Sequence, residues 1–203
     1  ASRVYAAEHA GYKVLGVDPA AGGDNSAVVL KSGNLQEILF NQKLQNTMDL
    51  VGVVMDKYRE VKADFIVVDK TGVGHGVYDR LKDMDYSIRG IDFGENPTDD
   101  QMFTNMKAEL YWRERQWLLS GGRLLDNYGW NEFEYIKYKH QDKDRTIRIQ
   151  PKEELLKDGL LSPNCVDAAI LTMSITDTTI RSNRNILRGN VFHDRNIEIW
   201  RGN

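Results

Sequence analysis

The sequence predicts an α/β protein in which a mixed β-sheet is flanked by helices. Three strand-like segments come first and are joined by short turns, which indicates an antiparallel meander. A helical segment and then an apolar run follow, and this order predicts a strand parallel to the first one. The chain has 203 residues, enough for one sizeable domain with its own core.

The meander is predicted over segments 12–17, 26–31 and 35–44. The first segment ends at Asp18-Pro19, because proline cannot donate a hydrogen bond to a strand ladder. The glycines, Asp24 and Asn25 that follow are typical of a turn.

The rest of the chain alternates helices and strands. Segment 47–61 has apolar residues at helical spacing, with Thr47 as the expected N-cap. Residues 64–68 are almost wholly apolar, which is typical of a central strand covered on both faces. The remaining predicted helices span 76–84, 104–119, 152–158 and 164–175, and a further strand spans 87–93. Segments 130–140 and 146–150 flank a polar turn, and the second half of this region looks like a hairpin.

Two carboxylates follow strands that we expect to be parallel neighbours. Asp18 ends the first strand and Asp69 ends the central one. Neighbouring strands lie about 4.8 Å apart, so these side chains repel each other unless a positive charge lies between them. The chain has one cysteine and four scattered histidines, so oxygen ligands predominate and favour Mg²⁺ or Mn²⁺ over Zn²⁺.

A third carboxylate, Asp167, lies near the start of the last helix, and Ala168 and Ala169 would let that helix approach the sheet closely. Three acids can hold two metal ions roughly 3.5–4 Å apart, an arrangement suited to phosphodiester cleavage. Simpler interpretations remain open, because an aspartate after a strand is often a turn former or helix cap, and Asp167 could be a helix N-terminal charge.

Composition limits the classes of function. The net charge of −3 argues against tight DNA binding by this chain alone, so any contact with DNA is local or is assisted by other domains. The lone Cys165 excludes an intrachain disulfide and fits a reducing compartment. No apolar run approaches the roughly 20 residues that span a bilayer. The N-terminus has no signal-peptide pattern, and we expect further domains upstream.

Five short motifs together resemble the nuclease domain of tailed-phage terminase large subunits. The motifs are, in chain order, 16–20 with 23–27 (GVDPA and GDNSA), 67–74 (VVDKTGVG), 105–112 (NMKAELYW), 152–155 (KEEL) and 162–168 (SPNCVDA). They occur in the order that the family has. The resemblance covers residues 12–175 and implies a ribonuclease-H-like fold with two-metal cleavage of double-stranded DNA concatemers during viral genome packaging.

The resemblance also implies roles and partners. Asp18, Asp69 and Asp167 match the family's metal-binding acids, and Asp18 is the expected bridging ligand because it lies on the presumed central strand. Family members often have Asp where this chain has Asn164. The chain contains no phosphate-binding loop, so the packaging ATPase would be a separate N-terminal domain. The small terminase subunit and the portal are further implied partners, with action at the procapsid in the host cytoplasm.

Several residues and segments have two interpretations. Asp24 is either a supplementary carboxylate or a turn residue, His75 either meets a phosphate or is a surface histidine, and Lys152 either binds the DNA backbone or is solvated. The basic hairpin 136–150 either guides DNA or is a soluble edge. We assign residues 1–180 to the nuclease domain and 181–203 to an arginine-containing tail that is either solvated or a docking segment.

Three other classes of function remain open. A junction resolvase or a ribonuclease H would share the metal chemistry and differ in substrate. An actin-like nucleotide-binding domain also opens with a strand ending in Gly-x-Asp, but it needs a second phosphate-binding turn that segment 69–72 matches poorly. A docking module whose acids are merely structural would bind no metal.

Overall fold

A computed structural model describes residues 11–20, 22–140 and 145–176. The strands are Lys13–Asp18 (β1), Ser26–Ser32 (β2), Leu35–Gln42 (β3), Phe65–Asp69 (β4), Ile88–Ile91 (β5), Arg123–Leu124 (β6), Tyr138–His140 (β7) and Ile147–Ile149 (β8). The α-helices are Thr47–Val61 (α1), Gly74–Asp83 (α2), Met106–Leu119 (α3), Lys152–Lys157 (α4) and Asn164–Leu171 (α5). Two 3₁₀ helices span Tyr128–Glu134 and Thr172–Ser174.

The main sheet has six strands in the order β5-β4-β1-β2-β3-β6. The meander β1-β2-β3 is antiparallel, whereas β4 pairs parallel to β1 and β5 pairs parallel to β4. The prediction of a mixed sheet flanked by helices is therefore confirmed. The parallel neighbours β1 and β4 are interior strands of the sheet, with buried residues on both faces.

Each face of the sheet packs against its own pair of helices. On one face, Leu15 and Val17 of β1 join a buried cluster with residues of α1 and α2. On the other face, Val14 and Phe65 pack against residues of α3 and α5. Because side chains alternate along a strand, every second residue of β1 and β4 points towards α3 and α5.

Some boundaries differ from the sequence prediction. The N-cap of α1 is Asn46, whose side chain accepts a hydrogen bond from Asp49 N–H, and not Thr47. Segment 130–140 begins in a 3₁₀ helix and is extended only over β7, because Trp130 is buried by packing of its ring against the core and does not lie in a strand ladder. The short strand β6 was not predicted, and the last helix ends at Leu171, before a 3₁₀ turn.

The hairpin is confirmed as the pair β7-β8, although its turn residues 141–144 and the arginine-containing segment 181–203 lie outside the described residues. Among the helices of the described ranges, none has the length and apolar character needed to cross a bilayer.

Candidate active site

Asp18 and Asp69 lie at the same edge and on the same face of the central sheet. The parallel register pairs Val17 with Val68, so the next residues along, Asp18 and Asp69, leave the sheet side by side. Alternation places Asp18 on the same face as Val14, and Asp69 on the same face as Phe65. Both carboxylates therefore project from the carboxyl edge of the sheet on the side covered by α3 and α5.

Helix α5 brings Asp167 to the same place because it packs unusually closely on β1. A Cβ atom added to Gly16 would lie 1.9 Å from the carbonyl oxygen of Ala168, so only glycine permits this approach. Small residues on both elements thus set the distance between helix and sheet. Asp167 lies in the first turn of α5 and is 8% exposed, and the expectation that Ala168 and Ala169 permit close packing is confirmed.

The three carboxylates share one electrostatic environment. Burial raises the pKa of Asp18 well above its usual value, and the charges of Asp167 and then Asp69 raise it further. Asp18 is 9% exposed, and its carboxylate accepts no hydrogen bond from any residue in the described ranges. A nearly buried carboxylate without a donor, beside two others, is the arrangement that a bound cation stabilises.

Asp69 is held in place by the loop that follows β4. Thr71 N–H donates a hydrogen bond of 2.9 Å to Asp69 Oδ1. Gly74 lets α2 begin against this loop, because a Cβ atom there would lie 1.8 Å from Asp69 O. Burial raises the pKa of Asp69, the Thr71 hydrogen bonds oppose this, and Asp167 raises the pKa further. Thr71 therefore holds this carboxylate through both its side chain and its backbone N–H, beside the charge of Asp167.

Two residues of α3 that received no individual role from the sequence hold Asp167. Lys107 Nζ donates to Asp167 Oδ2 at 2.8 Å, and Tyr111 OH donates to Asp167 Oδ1 at 2.7 Å. Burial lowers the pKa of Lys107. The contact with Asp167 and, more weakly, the charges of Asp18 and Asp69 raise that pKa by more, so it lies above its usual value. Burial and then Asp167 raise the Tyr111 pKa well above its usual value. Tyr111 therefore stays a neutral donor.

Glu132, on the first 3₁₀ helix, binds the start of α5. Its carboxylate accepts a hydrogen bond of 2.9 Å from Val166 N–H, and so caps the helix that carries Asp167. Burial raises the pKa of Glu132 to about 7, Val166 N–H opposes this rise, and Asp167 adds to it. Glu132 is thus a fourth acidic group beside the site, where it fixes the orientation of α5.

The donor set has the chemistry of a hard divalent cation site, although a lysine ammonium lies among the carboxylates. The three aspartates supply only oxygen ligands, which suits Mg²⁺ and Mn²⁺. Within the described ranges, no group of three or more acidic, histidine or cysteine side chains is arranged so that it could hold an ion as placed. Both oxygens of Asp167 accept hydrogen bonds from α3, one from Lys107 and one from Tyr111.

The secondary candidates lie around this centre. Lys152 Nζ forms an ion pair with Asp24, and Ser162 OH donates to the same carboxylate at 3.0 Å. The Lys152 hydrogen bond is the largest cause that lowers the Asp24 pKa. The charge of Lys152 also reaches Asp18, so Lys152 lies close to the aspartates. His75 is exposed in the first turn of α2.

The sequence contained a partial signal for the missed residues. Lys107 and Tyr111 are four positions apart on a helix, so they lie on one face. That face could not be oriented towards Asp167 without knowledge of how α3 packs. Glu132 gave no local signal, because its partner Val166 is 34 residues away.

Comparison with solved structures identifies the fold. The nuclease domain of the large terminase subunit of bacterial virus Sf6 superposes with a TM-score of 0.71 at 20% identity, over 83% of this chain and 90% of that one. The large terminase nuclease of thermophilic phage G20c with bound magnesium gives a TM-score of 0.62 at 14% identity, over 80% of each chain. No protein-family model and no curated protein sequence matches the chain. The chain has the ribonuclease-H-like fold of these phage nuclease domains, as its motifs predict.

Proposed function

We propose that this chain is the nuclease domain of a tailed-phage terminase large subunit and cuts double-stranded DNA at a divalent metal centre. The convergence of Asp18, Asp69 and Asp167 from three separate elements supports this most directly. Asp18 has no hydrogen-bond donor among the described residues, and the negative charges of Asp69 and Asp167 repel its own. A divalent cation would relieve this repulsion, and the complete centre would hold two such ions.

The fold adds independent support. A point mutant of the Sf6 nuclease domain has been solved with manganese and the G20c nuclease with magnesium, and both share the fold of this chain. Asp18 ends β1, which pairs with the strand of Asp69 and packs against the helix of Asp167, and this central place favours it as the ligand shared between two ions. Asp69 and Asp167 would each complete one site. Mg²⁺ or Mn²⁺ would supply the chemistry by activating a water and stabilising the leaving oxygen.

The protein's own residues position these ligands. Thr71 N–H orients Asp69, and Tyr111 OH orients Asp167. Such outer contacts fix the direction of the ligand lone pairs. Their loss typically lowers metal affinity or activity by roughly 10- to 100-fold. Glu132 anchors the first turn of α5, so the position of Asp167 is fixed by its helix as well as by its side-chain contacts.

The wider context follows from the same proposal. The substrate would be concatemeric viral DNA, and the chain would act with an N-terminal packaging ATPase domain, the small terminase subunit and the portal. Cleavage would take place at the procapsid in the host cytoplasm. The net charge of −3 fits this context, because such partners would supply most of the grip on DNA.

Replacement of Asp18 tests the proposal. Asp18→Asn keeps the shape of the side chain and removes its charge, so nicking of a supercoiled plasmid in Mn²⁺ should fall more than about 100-fold, beyond the loss typical of an outer contact. Asp79→Asn, which makes the same change on the exposed surface of α2, should cleave normally. Near-normal nicking by Asp18→Asn would reject the proposed role.

Two further measurements separate the remaining alternatives. Cleavage of linear duplex in preference to a four-way junction or an RNA–DNA hybrid would distinguish a terminase nuclease from a resolvase or ribonuclease H. Mn²⁺ should raise the melting temperature progressively with its concentration, because binding to the folded state stabilises it. A docking module without a metal site would give no such shift, and an actin-like domain would respond to ATP instead.

A further inference from the structure

The ammonium group of Lys107 lies where the charges of the three aspartates meet. It is 2.8 Å from Asp167 Oδ2, and its charge also interacts with Asp18 and Asp69. The side chain of Lys107 is 24% exposed, and its ammonium lies over the ring of Phe93, 4.9 Å from the centroid. Lys107 is therefore a partly desolvated cation that compensates one of three clustered negative charges.

This contact occupies a carboxylate that the proposed metal centre needs. Tyr111 OH binds one oxygen of Asp167, and Lys107 binds the other. A neutral hydroxyl donor is compatible with a cation on the same carboxylate. An ammonium group competes with that cation, because two positive charges on one small carboxylate repel each other in a partly desolvated site.

The lysine has space into which it can move. Lys107 also lines a cleft of about 540 Å³ between the start of α3 and the segment that joins β8 to α4. The cleft contains polar groups, including Thr104, Gln150 and Glu153, that can accept a hydrogen bond from an ammonium group. Rotation about the flexible lysine side chain would carry the charge from Asp167 into this cleft.

We propose that Lys107 is the built-in counter-ion of the aspartate cluster and that a divalent cation must displace its ammonium group from Asp167 in order to bind there. This inference rests on the proposed metal centre and adds a competitor to it. Lys107 is a positioning residue in this scheme. It holds the acids together when the metal is absent and weakens the affinity of the protein for the ion.

The test is the affinity for Mn²⁺, measured by titration calorimetry on the whole chain. Lys107→Met keeps an unbranched apolar stem and removes the competing charge, so Mn²⁺ should bind roughly tenfold tighter or more. Lys107→Arg keeps a positive charge and should bind Mn²⁺ about as weakly as the parent protein. Lys57→Met is the matched control, because it breaks a lysine–carboxylate pair of the same 2.8 Å length on the exposed face of α1.

A merely structural lysine gives the opposite result, because its loss would loosen the site and weaken Mn²⁺ binding. Two results would overturn the inference and leave the metal centre intact. One is unchanged or weaker Mn²⁺ binding by Lys107→Met. The other is equally tight Mn²⁺ binding by Lys107→Arg and Lys107→Met. Absence of Mn²⁺ binding to the parent protein would overturn the proposed function as well. If Lys107→Met melts too low for calorimetry, its melting temperature should rise more steeply with Mn²⁺ than that of the parent protein, and an equal or smaller rise would overturn the inference.

Discussion

Replacing Glu114 by Gln should stabilise the protein at alkaline pH and change little in acid. Glu114 lies on α3 and is fully buried. Gln36 Nε2 donates to its Oε2 at 3.0 Å, but Glu114 Oε1 and Gln36 Oε1 have no hydrogen-bond partner among the described residues. A glutamine at position 114 removes the buried charge and keeps an amide oxygen that can accept from Gln36 Nε2.

The size of the effect follows from the pKa. Burial raises the pKa of Glu114 from 4.5 to about 7, against the lowering effects of Gln36 and Lys31. The folded protein thus holds this proton to a higher pH than the unfolded chain does. The stability that the neutral carboxyl contributes is complete below about pH 4.5 and is lost as pH rises through about 7, a loss of about 3 kcal/mol in total.

Urea unfolding at a series of pH values measures this loss. At about pH 4.5 the parent protein and Glu114→Gln should have similar free energies of unfolding, whereas at about pH 8 the variant should be more stable by about 3 kcal/mol. Other titrating groups, including Glu132, are common to both proteins and cancel in the difference. Glu60→Gln, which removes an exposed carboxylate from α1, controls for the loss of a charge. A difference that does not vary with pH would refute the reasoning.

Two further substitutions test how the site is supported. Gly16→Ala should destabilise the protein by at least about 3 kcal/mol, because its Cβ would lie 1.9 Å from Ala168 O and force α5 off β1. Thermal unfolding measures this loss of stability. A loss below about 1 kcal/mol would show that α5 can move at little cost. Asn46→Ala should cost about 1 kcal/mol of stability and Thr47→Ala much less, because Asn46 is the residue that caps α1. Equal losses in denaturant unfolding of these two variants would contradict the assignment of the cap.

Much of the sheet could be predicted because its strands have simple patterns. The apolar run that becomes β4 has buried residues on both faces, and this pattern with the preceding helix was enough to predict its parallel pairing with β1. The convergence of Asp18 and Asp69 then followed from strand geometry alone. The cap of α1 could not be assigned in the same way, because Asn46 and Thr47 both suit an N-cap. The choice depends on the extended backbone of Asn46, with φ −142° and ψ 160°.

The residues that support the acids were harder to predict because they are polar groups on a buried face. Sequence patterns assign apolar positions to the core and polar positions to solvent. Helix α3 departs from this rule, since Lys107, Tyr111 and Glu114 lie at helical spacing and contact groups of the site or the core. Its apolar pattern predicted the helix, but gave no reason to expect that a lysine and a glutamate point inwards.

Helix α3 therefore carries polar side chains to two places that differ in their electrostatics. Near its start, Lys107 provides a positive charge to an excess of carboxylates, and the ion pair with Asp167 keeps that charge in place. Two turns later, Glu114 is buried beside a neutral amide, and its pKa rises instead. Burial of polar groups costs stability unless each is paired, so local rules fail most often where function retains such groups. The inward lysine of α3 is thus better explained by the demands of the acidic site than by packing.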